Sequence, residues 1–585
     1  MMQKIWKVKN NPPARLDENE SKRVGGKNNN LRPGSKIHPV VLQLLLNRGI
    51  NNADELEKFF NLNYDTDVHD PFLFSDMEKA IDRIKRAKEN QEKIAIFGDY
   101  DADGVTATAL LYETLTNLGF KKVIPYIPDR QTEGYGMNEP SIDFLAKEGV
   151  SLIVTVDCGI TNIVEVEKAK SLGIDVIVTD HHHVPKKLPD AAAIINPHVE
   201  NCGYPFESLA GVGVAFKLAQ ALYEKMDNSK TDQLKWLLDL VVIGTVADCV
   251  PLVSENRVLT KYGLVVLSKT RRVGLLEMFK VGRITIDENN IPDTQKIAFQ
   301  IAPRINAAGR MDHASISYEL MIEKNSVMAR DMALEIEDKN KNRQKITAEI
   351  VREVRALAEN SFKDRKLIFA SNEHWQVGIL GLIAGRIADE FNKPTAVFQK
   401  QGAEFVGSFR SIDQFNIIEA LEKCSDLLVR YGGHSQAAGA QVKEENMEKF
   451  YEKLSGIIEE DLAGKDIPPN IEIDLEITAA DINWDLLEAI KKLQPFGEGN
   501  EEPIFLMKNL IVEDVKIVGN GSKHMKLSLR AESSPKVFES IGFGLGENKL
   551  ELKNGDAIDI VFNLQEDEWN GNKKMQLNLV DIQKK

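Results

Sequence analysis

Cysteine is scarce in this chain, since its 585 residues include only Cys158, Cys202, Cys249 and Cys424. The four are scattered, and no two have the Cys-x-x-Cys spacing of a zinc ribbon. Their number is also too small for the disulfide framework of a small secreted domain. We therefore expect no zinc ribbon and no disulfide framework, and we interpret Cys158 and Cys249, which directly follow two acids, as small core residues.

Long hydrophobic runs are absent as well. No apolar stretch approaches the roughly 20 residues that a transmembrane helix needs. Residues 1–10 contain lysines but neither the apolar core nor the small-residue cleavage site of a signal peptide. We therefore expect a cytoplasmic protein with no membrane partner.

An excess of positive charge is also missing, because the formal net charge is −15 at pH 7. This charge argues against a protein that coats nucleic acid non-specifically. It does not exclude a nucleic-acid enzyme, in which a local basic groove can coexist with acidic surfaces elsewhere. At 585 residues the chain is too long for one core, so we expect three or four domains.

The order of apolar segments predicts an α/β protein. Residues 1–75 are predicted to be a small helical lead-in. In residues 76–325 short apolar strands alternate with helices, which predicts a parallel sheet covered on both faces. Residues 326–360 contain no Gly or Pro, are rich in Glu, Lys and Arg, and have apolar residues at helical spacing. They predict one helix of about 50 Å that bridges two domains.

Two more domains are predicted after that helix. Residues 361–462 again alternate strands and helices, and a Gly-rich turn is predicted over 432–439. Residues 467–585 contain at least five short strands with turn signals between them, which favours a small OB-type β-barrel.

Three carboxylates follow the first predicted strand of the parallel sheet. Ile94–Phe97 is a short apolar run, Gly98 ends it, and Asp99, Asp101 and Asp103 come next in alternation. Gly104 permits a tight turn before the next helix. Open α/β sheets bind their ligands at this end of their strands. Because acids this close repel one another, they favour a divalent cation between them.

Two later strands of the same sheet also end in potential metal ligands. Leu152–Val156 is followed by Asp157, and Asp175–Thr179 is followed by Asp180 and by His181, His182 and His183. A further acid, Asp248, follows an apolar helix. Carboxylates combined with imidazole suit Mn²⁺ or Mg²⁺ better than a thiolate-seeking metal.

Each of these residues also has an ordinary structural explanation. Asp103 could cap the helix that follows it, Asp157 could stabilise a turn, and the histidine tract could be a solvated loop. Taken together, Asp101, Asp103, Asp157, His181 and Asp248 are difficult to explain without metal, so a metal centre is the favoured interpretation.

Several motifs carry a resemblance to a known family. Gly-Asp-Tyr-Asp-Ala-Asp-Gly at 98–104, Val-Asp-Cys-Gly at 156–159, Asp-His-His at 180–182 and Ala-Asp-Cys-Val-Pro-Leu at 247–252 resemble the signature motifs of the DHH phosphoesterase superfamily. Within it, the chain is similar to the bacterial single-stranded-DNA-specific exonucleases. That similarity covers nearly the whole chain and is least specific before residue 75. It rests on Pro-Asp-Arg-x-x-Glu-Gly-Tyr-Gly at 128–136, Ala-Pro-Arg-Ile-Asn-Ala-Ala-Gly-Arg at 302–310, Gly-Ser-Phe-Arg-Ser at 407–411, Gly-Gly-His at 432–434 and Pro-Phe-Gly-Glu-Gly-Asn-Glu-Glu-Pro-Ile-Phe at 495–505.

The resemblance implies a DHH catalytic domain over 76–325, a DHHA1-type domain over 361–462 and a DNA-binding barrel over 467–585. It also implies two ions, Mn²⁺ or Mg²⁺. Asp157 would bridge them, Asp101 would serve one ion, and Asp103, His181 and Asp248 would serve the other. Asp99 and Asp180 would lie near the site, and His182 would contact the scissile phosphate.

The same resemblance implies a set of DNA-binding residues. Arg130, Ser408 and Arg410 would hold a 5′-terminal phosphate, although for Arg410 taken alone a solvated charge is the favoured interpretation. Arg304, Asn306 and His434 would face the substrate, and for Asn306 a structural turn is a close alternative. In the barrel, cations and aromatics would bind single-stranded DNA, although most aromatics in a small barrel are core residues; the potential residues are Lys516, Lys523, Lys526, Arg530, Phe505, Phe538, Phe543, Phe562 and Trp569.

The implied activity is a 5′-to-3′ exonuclease specific for single-stranded DNA, which releases 5′-mononucleotides by a two-metal mechanism in DNA repair and recombination. The resemblance further implies a monomer whose partners are single-stranded DNA, a single-strand-binding protein and a RecQ-type helicase. One alternative is a smaller enzyme of the superfamily, which hydrolyses short oligonucleotides, adenosine bisphosphate or cyclic dinucleotides; the C-terminal barrel argues against it. The other is a scaffold protein without catalysis, and the intact acids argue against that.

Overall fold

The computed structural model describes residues 4–9, 37–130, 132–465, 468–519, 521, 523–532, 534–547, 551–569 and 572–585. These residues form two compact units. One unit contains the two α/β domains, residues 64–465 with 497–499. The other contains the described residues before 64 together with the barrel.

The helices and strands follow one another in four groups along the chain. The N-terminal group is β1 (Ile5–Val8), α1 (Pro39–Asn47) and α2 (Ala53–Phe60). The first α/β domain comprises α3 (Tyr64–Asp67), α4 (Met77–Glu89), β2 (Lys93–Gly98), α5 (Ala102–Asn117), β3 (Val123–Tyr126), α6 (Glu139–Lys147), β4 (Val150–Val156), α7 (Ile163–Ser171), β5 (Asp175–Thr179), β6 (Ala193–Ile195), α8 (Gly211–Met226), α9 (Leu238–Ala247), α10 (Ser254–Leu267), α11 (Val273–Gly282), α12 (Thr294–Lys296), α13 (Ala302–Met311) and α14 (Ser315–Ile322).

The remaining two groups begin with the long helix. The second α/β domain comprises α15 (Ser326–Asn360), β7 (Ile368–Asn372), α16 (Val377–Phe391), β8 (Thr395–Gln401), β9 (Glu404–Arg410), α17 (Ile417–Lys423), β10 (Leu428–Gly433), β11 (Ala437–Lys443) and α18 (Met447–Asp461). The barrel group comprises β12 (Asn470–Ile473), β13 (Leu475–Glu476), α19 (Trp484–Lys491), β14 (Phe505–Val518), β15 (His524–Ala531), β16 (Val537–Gly542), β17 (Ala557–Trp569) and β18 (Asn572–Lys584). A π-helix, Ile297–Ile301, lies between α12 and α13.

The first α/β domain has the predicted parallel sheet, with strand order β3-β2-β4-β5-β6 and four parallel pairings. Helices cover both faces, which explains why β2 and β4 are apolar along nearly their whole length. In the register of the sheet Gly98 pairs with Val156, and Val156 pairs with Thr179. The polar residues that follow these three strands are therefore neighbours at one edge.

Helix α15 is the predicted long helix, with 35 residues and a length of about 50 Å. Its first half contributes Ala333 and Ile336 to the core of the first α/β domain. Its second half contributes Ile350 and Val354 to the core of the second. One continuous helix thus supports both cores.

The second α/β domain contains a mixed five-stranded sheet, in the order β10-β11-β9-β8-β7. The prediction of a Gly-rich turn over 432–439 is wrong for most of that segment. Gly432 and Gly433 end β10, and they pair with Gly439 and Ala438 of β11. The turn itself is confined to residues 434–436. The small side chains belong to a hairpin, because alternation of Gly and Ala gives no hydrophobic period from which a strand could be predicted.

The C-terminal strands form the predicted closed barrel, in the order β14-β15-β16-β18-β17, with β14 pairing β17 to close it. This is the strand order of an OB-fold, with β14 as its first strand. Although short strands are predicted in this region, residues 505–518 form one long strand of 14 residues, β14. Register shifts between Met507 and Leu510 and between Val512 and Asp514 bend β14, so that its two ends pair with different neighbours.

The N-terminal lead-in is not wholly helical. Ile5–Val8 is a strand that pairs in parallel with Asn470–Ile473, a partner more than 460 residues away that no local pattern reveals. Helices α1 and α2 pack with α19 and the barrel strands in one apolar core. Across the parts of the chain that the structure describes, no helix is both long enough and apolar enough to cross a bilayer.

Candidate metal centre and phosphate pocket

The loop between β2 and α5 holds the first three acids in fixed positions. Asp101 is the N-cap of α5, and its carboxylate accepts hydrogen bonds from the backbone N–H groups of Asp103 (2.9 Å) and Gly104 (3.1 Å). Gly104 is required here, because a Cβ atom would lie 2.5 Å from the Asp99 carbonyl oxygen. The tight turn therefore directs all three acids toward the carboxyl edge of the sheet.

Asp103 does cap a helix, but a different one from the helix that contains it. Its two carboxylate oxygens accept hydrogen bonds from the backbone N–H groups of Gly211 (2.6 Å) and Val212 (2.9 Å), at the start of α8. The positive end of that helix stabilises the negative charge of Asp103. The position of the Asp103 carboxylate, a potential ligand, is thus fixed by backbone groups more than 100 residues further along the chain.

Asp157 follows β4 in a backbone conformation that is uncommon for a residue with a side chain. Its φ is 61°, and its N–H donates to the carbonyl oxygen of Thr179. Such strained residues concentrate at functional sites. Gly211 lies beside it, and a Cβ at Gly211 would be 2.5 Å from the Asp157 side chain.

The predicted ligands converge on three overlapping groups whose ligand atoms lie within 4.8 Å of one another; the groups are Asp103–His181–Asp248, Asp99–Asp101–Asp157 and Asp157–His181–His182. The first group matches the ligand set expected for one ion. Asp157 belongs to two of the groups, and so does His181. Asp99 was expected only near the site, but it lies in a potential ligand group with Asp101.

The donor set fits divalent cations. Asp99 Oδ1, Asp157 Oδ1 and His181 Nε2 are buried and have no hydrogen-bond partner among the described residues. His181 Nε2 is 3.1 Å from Asp157 Oδ1 and 3.5 Å from Asp248 Oδ2. Buried polar atoms are costly to leave unpaired, and a shared cation would satisfy all of them. Carboxylate oxygens with one imidazole are ligands that suit Mn²⁺ or Mg²⁺.

Burial raises the pKa of the clustered carboxyl groups, and repulsion between neighbouring acids adds to it. The pKa of Asp103 is raised to about 7 by burial and by the charge of Asp101. The pKa of Asp248 is raised to about 9 by burial and by the charge of Asp103. The pKa values of Asp99 and Asp157 lie well above their usual range for the same two reasons. Without a cation the cluster is therefore electrostatically strained at neutral pH.

The His181 imidazole is in the protonation state that can bind a metal. Burial, followed by the charge of His182, lowers the pKa of His181 to about 4. The ring is therefore neutral at pH 7, and a neutral imidazole is the form that ligates metal. A hydrogen bond with the Leu209 backbone orients the ring.

We predict that the stability of the metal-free protein falls as pH rises from about 6.5 to 9. Because Asp103 and Asp248 have raised pKa values when folded, the folded state binds more protons than the unfolded state over this window, and stability decreases with pH. His181 has the opposite effect, but only below its unfolded pKa of about 6.5. Calorimetry in EDTA should show Tm falling by roughly 5 °C across the window.

Saturating Mn²⁺ should remove most of this pH dependence, because a bound cation keeps the carboxylates ionised. In an Asp248→Asn variant, the Tm measured in EDTA should fall less steeply with pH than in the wild type. A metal-free Tm that is constant or rises from pH 6.5 to 9 would contradict the proposed strain.

His182 lies beside the ligand cluster, and its Nδ1 atom has two polar partners. Its Nδ1 is 2.7 Å from Asp180 Oδ1 and 3.1 Å from the Tyr135 hydroxyl. Burial alone would lower the pKa of His182, but the hydrogen bond and the charge of Asp180 outweigh it, and the pKa is raised. Tyr135 also donates to the Asp157 carbonyl at 3.3 Å. The sequence analysis did not select Tyr135, although it lies within the 128–136 motif.

The residues expected to bind a terminal phosphate also come together. Arg410 Nη1 lies 3.4 Å from Ser408 Oγ on the same strand. Burial and the charge of Arg130 lower the pKa of Arg410. Arg130 stacks over the ring of Tyr100, with its guanidinium carbon 4.8 Å from the ring centroid, and Tyr100 lies between two acids of the metal cluster. The pocket therefore borders the metal centre.

Arg310 is a member of this pocket that sequence reasoning missed. Burial, and then the charges of Arg130 and Arg343, lower the pKa of its guanidinium to about 9, and Arg410 adds to the repulsion. Like charges held this close favour a bound anion. Gly381 leaves room for it, because a Cβ there would lie 3.0 Å from Arg410 Nη2 and 3.1 Å from Ser408 Oγ. Arg310 ends the 302–310 motif, so the motif itself could have indicated it.

Two residues of the 302–310 motif are engaged elsewhere. Arg304 donates from Nε to Glu337 of α15 at 2.7 Å and from Nη1 to the Gln300 carbonyl at 2.6 Å. Asn306 Oδ1 accepts the N–H of Ala102 at 2.7 Å, at the start of α5. Asn306 thus holds the loop that carries Asp101 and Asp103.

His434 of the second α/β domain lies in a group of exposed and half-buried histidines. Its ring centroid is 6.1 Å from that of His183, which in turn is 4.7 Å from that of His198. Burial and the charge of His183 lower the pKa of His434. The second domain therefore approaches the metal centre through this hairpin.

Three known family models match this chain, each over one of its three main domains. The model of the DHH family N-terminal domain matches residues 93–245, the DHHA1 domain matches 364–460, and the RecJ OB domain matches 473–581. The first two matches place the chain in the DHH phosphoesterase class, to which its parallel sheet and clustered acids conform.

Similarity over nearly the whole chain identifies the family within this class. The chain is 40% identical to the single-stranded-DNA-specific exonuclease RecJ of Bacillus subtilis over 547 residues, 93% of this chain and 68% of the relative. It is 32% identical to the RecJ of Haemophilus influenzae, covering 93% of this chain and 96% of the relative. The chain belongs to the RecJ family.

Solved structures agree with this assignment. RecJ from Thermus thermophilus in complex with Mn²⁺ is 26% identical and superimposes with a TM-score of 0.80, covering 99% of this chain and 80% of that one. The Mg²⁺ complex from the same organism gives a TM-score of 0.75 at 25% identity, covering 99% of this chain and 78% of that one.

Proposed function

We propose that this protein is a metal-dependent exonuclease that degrades single-stranded DNA from its 5′ end and releases 5′-mononucleotides. The observation that carries the proposal is the adjacency of two sites: a cluster of acids with a neutral imidazole, and a pocket of arginines separated from it by Tyr100. The first site suits phosphodiester hydrolysis, and the second suits recognition of a terminal phosphate.

In this proposal two divalent ions, Mn²⁺ or Mg²⁺, would be held by the clustered acids and His181: Asp157 would serve both, Asp101 would serve one, and Asp103, His181 and Asp248 would serve the other. When bound, the ions supply a water of lowered pKa and neutralise charge on the phosphate. Asp99 completes the ligand group of Asp101. The backbone N–H groups of α8 fix Asp103, so the acids are already in place before substrate arrives.

His182 acts on the phosphate in this scheme. Its raised pKa favours the protonated ring, which can donate a hydrogen bond to a phosphate oxygen. Asp180 is almost completely buried and orients the ring. The Tyr135 hydroxyl contacts the same ring nitrogen, Nδ1, at 3.1 Å.

The direction of digestion follows from the arginine pocket. Arg130, Arg310 and Arg410 present forked donors, and Ser408 adds a hydroxyl, a combination that suits a terminal phosphate with its extra charge. A phosphate held there places the next phosphodiester toward the neighbouring metal centre. Cleavage at that bond releases one nucleotide, which supports a mononucleotide product.

The two alternatives receive less support. A smaller enzyme of the superfamily would not need the barrel, which matches the RecJ OB domain over 473–581. A scaffold without catalysis would not need the converged acids and histidine. From family membership we further infer a cytoplasmic monomer that acts in DNA repair and recombination, with a single-strand-binding protein and a RecQ-type helicase as partners.

Digestion of end-labelled DNA tests the proposal. With Mn²⁺, single-stranded DNA should be degraded and blunt duplex DNA should persist, whereas EDTA should stop the reaction. A 5′ label should appear first as a mononucleotide, because the terminal phosphate is held beside the metals. Early release of a 3′ label, or equal digestion of duplex, would contradict the proposal.

A further inference from the structure

One buried side chain connects two segments that position metal ligands. Asn256 lies in the first turn of α10 and is completely buried. Its Nδ2 atom donates to the carbonyl oxygen of Ser208 at 2.5 Å and to that of Pro251 at 3.0 Å. Ser208 lies just before α8, and Pro251 follows α9. A single amide therefore joins the start of one helix to the segment that follows another.

The segment at residues 208–212 orients two of the candidate ligands. The backbone of Leu209 forms a hydrogen bond with the His181 imidazole. The first two backbone N–H groups of α8 donate to the Asp103 carboxylate at 2.6 Å and 2.9 Å. Because neither ligand belongs to this segment, it acts on them only through these contacts. The position of the segment therefore helps to fix where the two side chains lie.

The segment at residues 248–251 contains the third ligand of the same group. Asp248 follows the last residue of α9, and the next residue, Cys249, has a φ of 58°. A residue with a side chain rarely adopts this conformation unless the surrounding structure fixes it. The contact between Asn256 and Pro251, shortly after the ligand, is one such constraint. It limits how far the Asp248 carboxylate can move.

Asn256 therefore joins the parts of the chain that supply one ligand group. Asp103, His181 and Asp248 have ligand atoms within 4.8 Å of one another. They lie at the start of α5, after β5 and after α9, so no single helix or strand sets their spacing. Hydrogen bonds fix both distance and direction, and the two that Asn256 donates hold the supporting segments together.

Core packing alone does not explain the choice of asparagine at this position. The Oδ1 atom of Asn256 is buried and has no hydrogen-bond partner among the residues that the structure describes. A buried oxygen without a partner costs stability, which an apolar side chain would avoid. What asparagine supplies, and an apolar side chain cannot, is the pair of N–H donors.

We propose that Asn256 is a positioning residue of the metal centre and that it holds Asp248 at the distance from the other two ligands that a divalent ion requires. The inference rests on the proposed function, and it names the residue on which binding of one of the two ions depends. Without the amide, the segment that contains Asp248 is free to shift, so this ion should bind more weakly. The ion beside Asp101 should keep its ligands. Contacts that orient metal ligands contribute about 10- to 100-fold to affinity.

Calorimetric titration of the full chain with Mn²⁺ tests this role in the absence of substrate. Asn256→Leu keeps a similar side-chain volume but cannot donate to either carbonyl. One ion should bind about 10- to 100-fold more weakly, and the other should bind as in the wild type. The rise in Tm on adding Mn²⁺ should be smaller for the same reason. During digestion, the Mn²⁺ concentration for half-maximal rate should rise, whereas the KM for DNA should stay the same.

Thr260→Val is the matched control. Thr260 is also fully buried on α10, and its hydroxyl has no hydrogen-bond partner among the described residues. This variant should titrate as the wild type does. Asn256→Ala is the second test variant, because it removes the amide without filling its space, and it should weaken the same ion. Both Asn256 variants should stay folded in EDTA, since the N–H of Leu252 still donates to the Glu498 carbonyl at 2.7 Å.

Wild-type affinity for both ions in the Asn256 variants would overturn the positioning role, and so would an equal weakening of both ions or a comparable loss in Thr260→Val. Loss of the folded state in both Asn256 variants would overturn it as well, because the amide would then support the domain itself. If one ion depends on Asn256 but the wild type cleaves no DNA with Mn²⁺, the proposed function fails and the positioning role stands.

Discussion

Replacing Asp157 by asparagine should abolish nuclease activity, by about 10³-fold or more, while the fold is retained. Asp157 belongs to two of the three potential ligand groups, so under the proposed function the loss of its charge should weaken the binding of both ions. Asparagine has nearly the same shape and tolerates the φ of 61° at this position, whereas alanine would add backbone strain. The measurement is the rate of mononucleotide release at saturating Mn²⁺.

The same substitution should make the metal-free protein more stable. Burial and neighbouring acids raise the pKa of Asp157 well above its usual range, so removing its charge relieves repulsion in the cluster. Calorimetry in EDTA should therefore show a higher Tm than the wild type, and Mn²⁺ should raise it less.

Asp143→Asn is a suitable control, because Asp143 is an exposed acid of the same domain that pairs with Lys168. It should leave both activity and Mn²⁺ response unchanged. Substantial activity of Asp157→Asn at saturating Mn²⁺ would eliminate the bridging role. Asp99→Asn tests the role of a further acid. A large loss of nuclease activity in this variant would show that Asp99 is a metal ligand rather than a neighbour of the metal site.

The second large effect is expected at the arginine pocket. Arg410→Ala should lower kcat/KM on 5′-phosphorylated single strands by roughly 10- to 100-fold, the range for a hydrogen bond to a charged group. Removing the 5′ phosphate from the substrate should have a similar effect on the wild type. Because both changes remove the same contact, their effects should not add, and initial rates on the four combinations form a double-mutant cycle.

Arg365→Ala controls for charge in the same domain, since Arg365 is 57% exposed and pairs loosely with Glu459 at 3.5 Å. It should behave as the wild type on both substrates. Arg310→Ala should resemble Arg410→Ala if Arg310 belongs to the pocket. Additive losses in the cycle would show that Arg410 acts away from the terminal phosphate.

The domain order and the clustering of most of the candidate metal ligands could be predicted from local patterns in the chain. Strand periodicity and the β2–α5 turn placed Asp99, Asp101 and Asp103 at one edge of a parallel sheet, because strands of such a sheet end side by side. The helix over 326–360 was equally clear, since helical spacing and the lack of Gly and Pro are local properties.

Which polar residues meet depends on the folded domain. The motifs could not show that Asp103 binds the start of α8 or that Asn306 holds the loop that carries Asp101 and Asp103. The packing of the barrel likewise decides that Phe543 is exposed while Phe505, Phe538 and Phe562 are buried. Helical periodicity reflects residues three or four positions apart, so it can be recognised in the sequence. The contacts named above join residues that are far apart in the chain. Which residues meet is therefore decided by the packing of the whole domain.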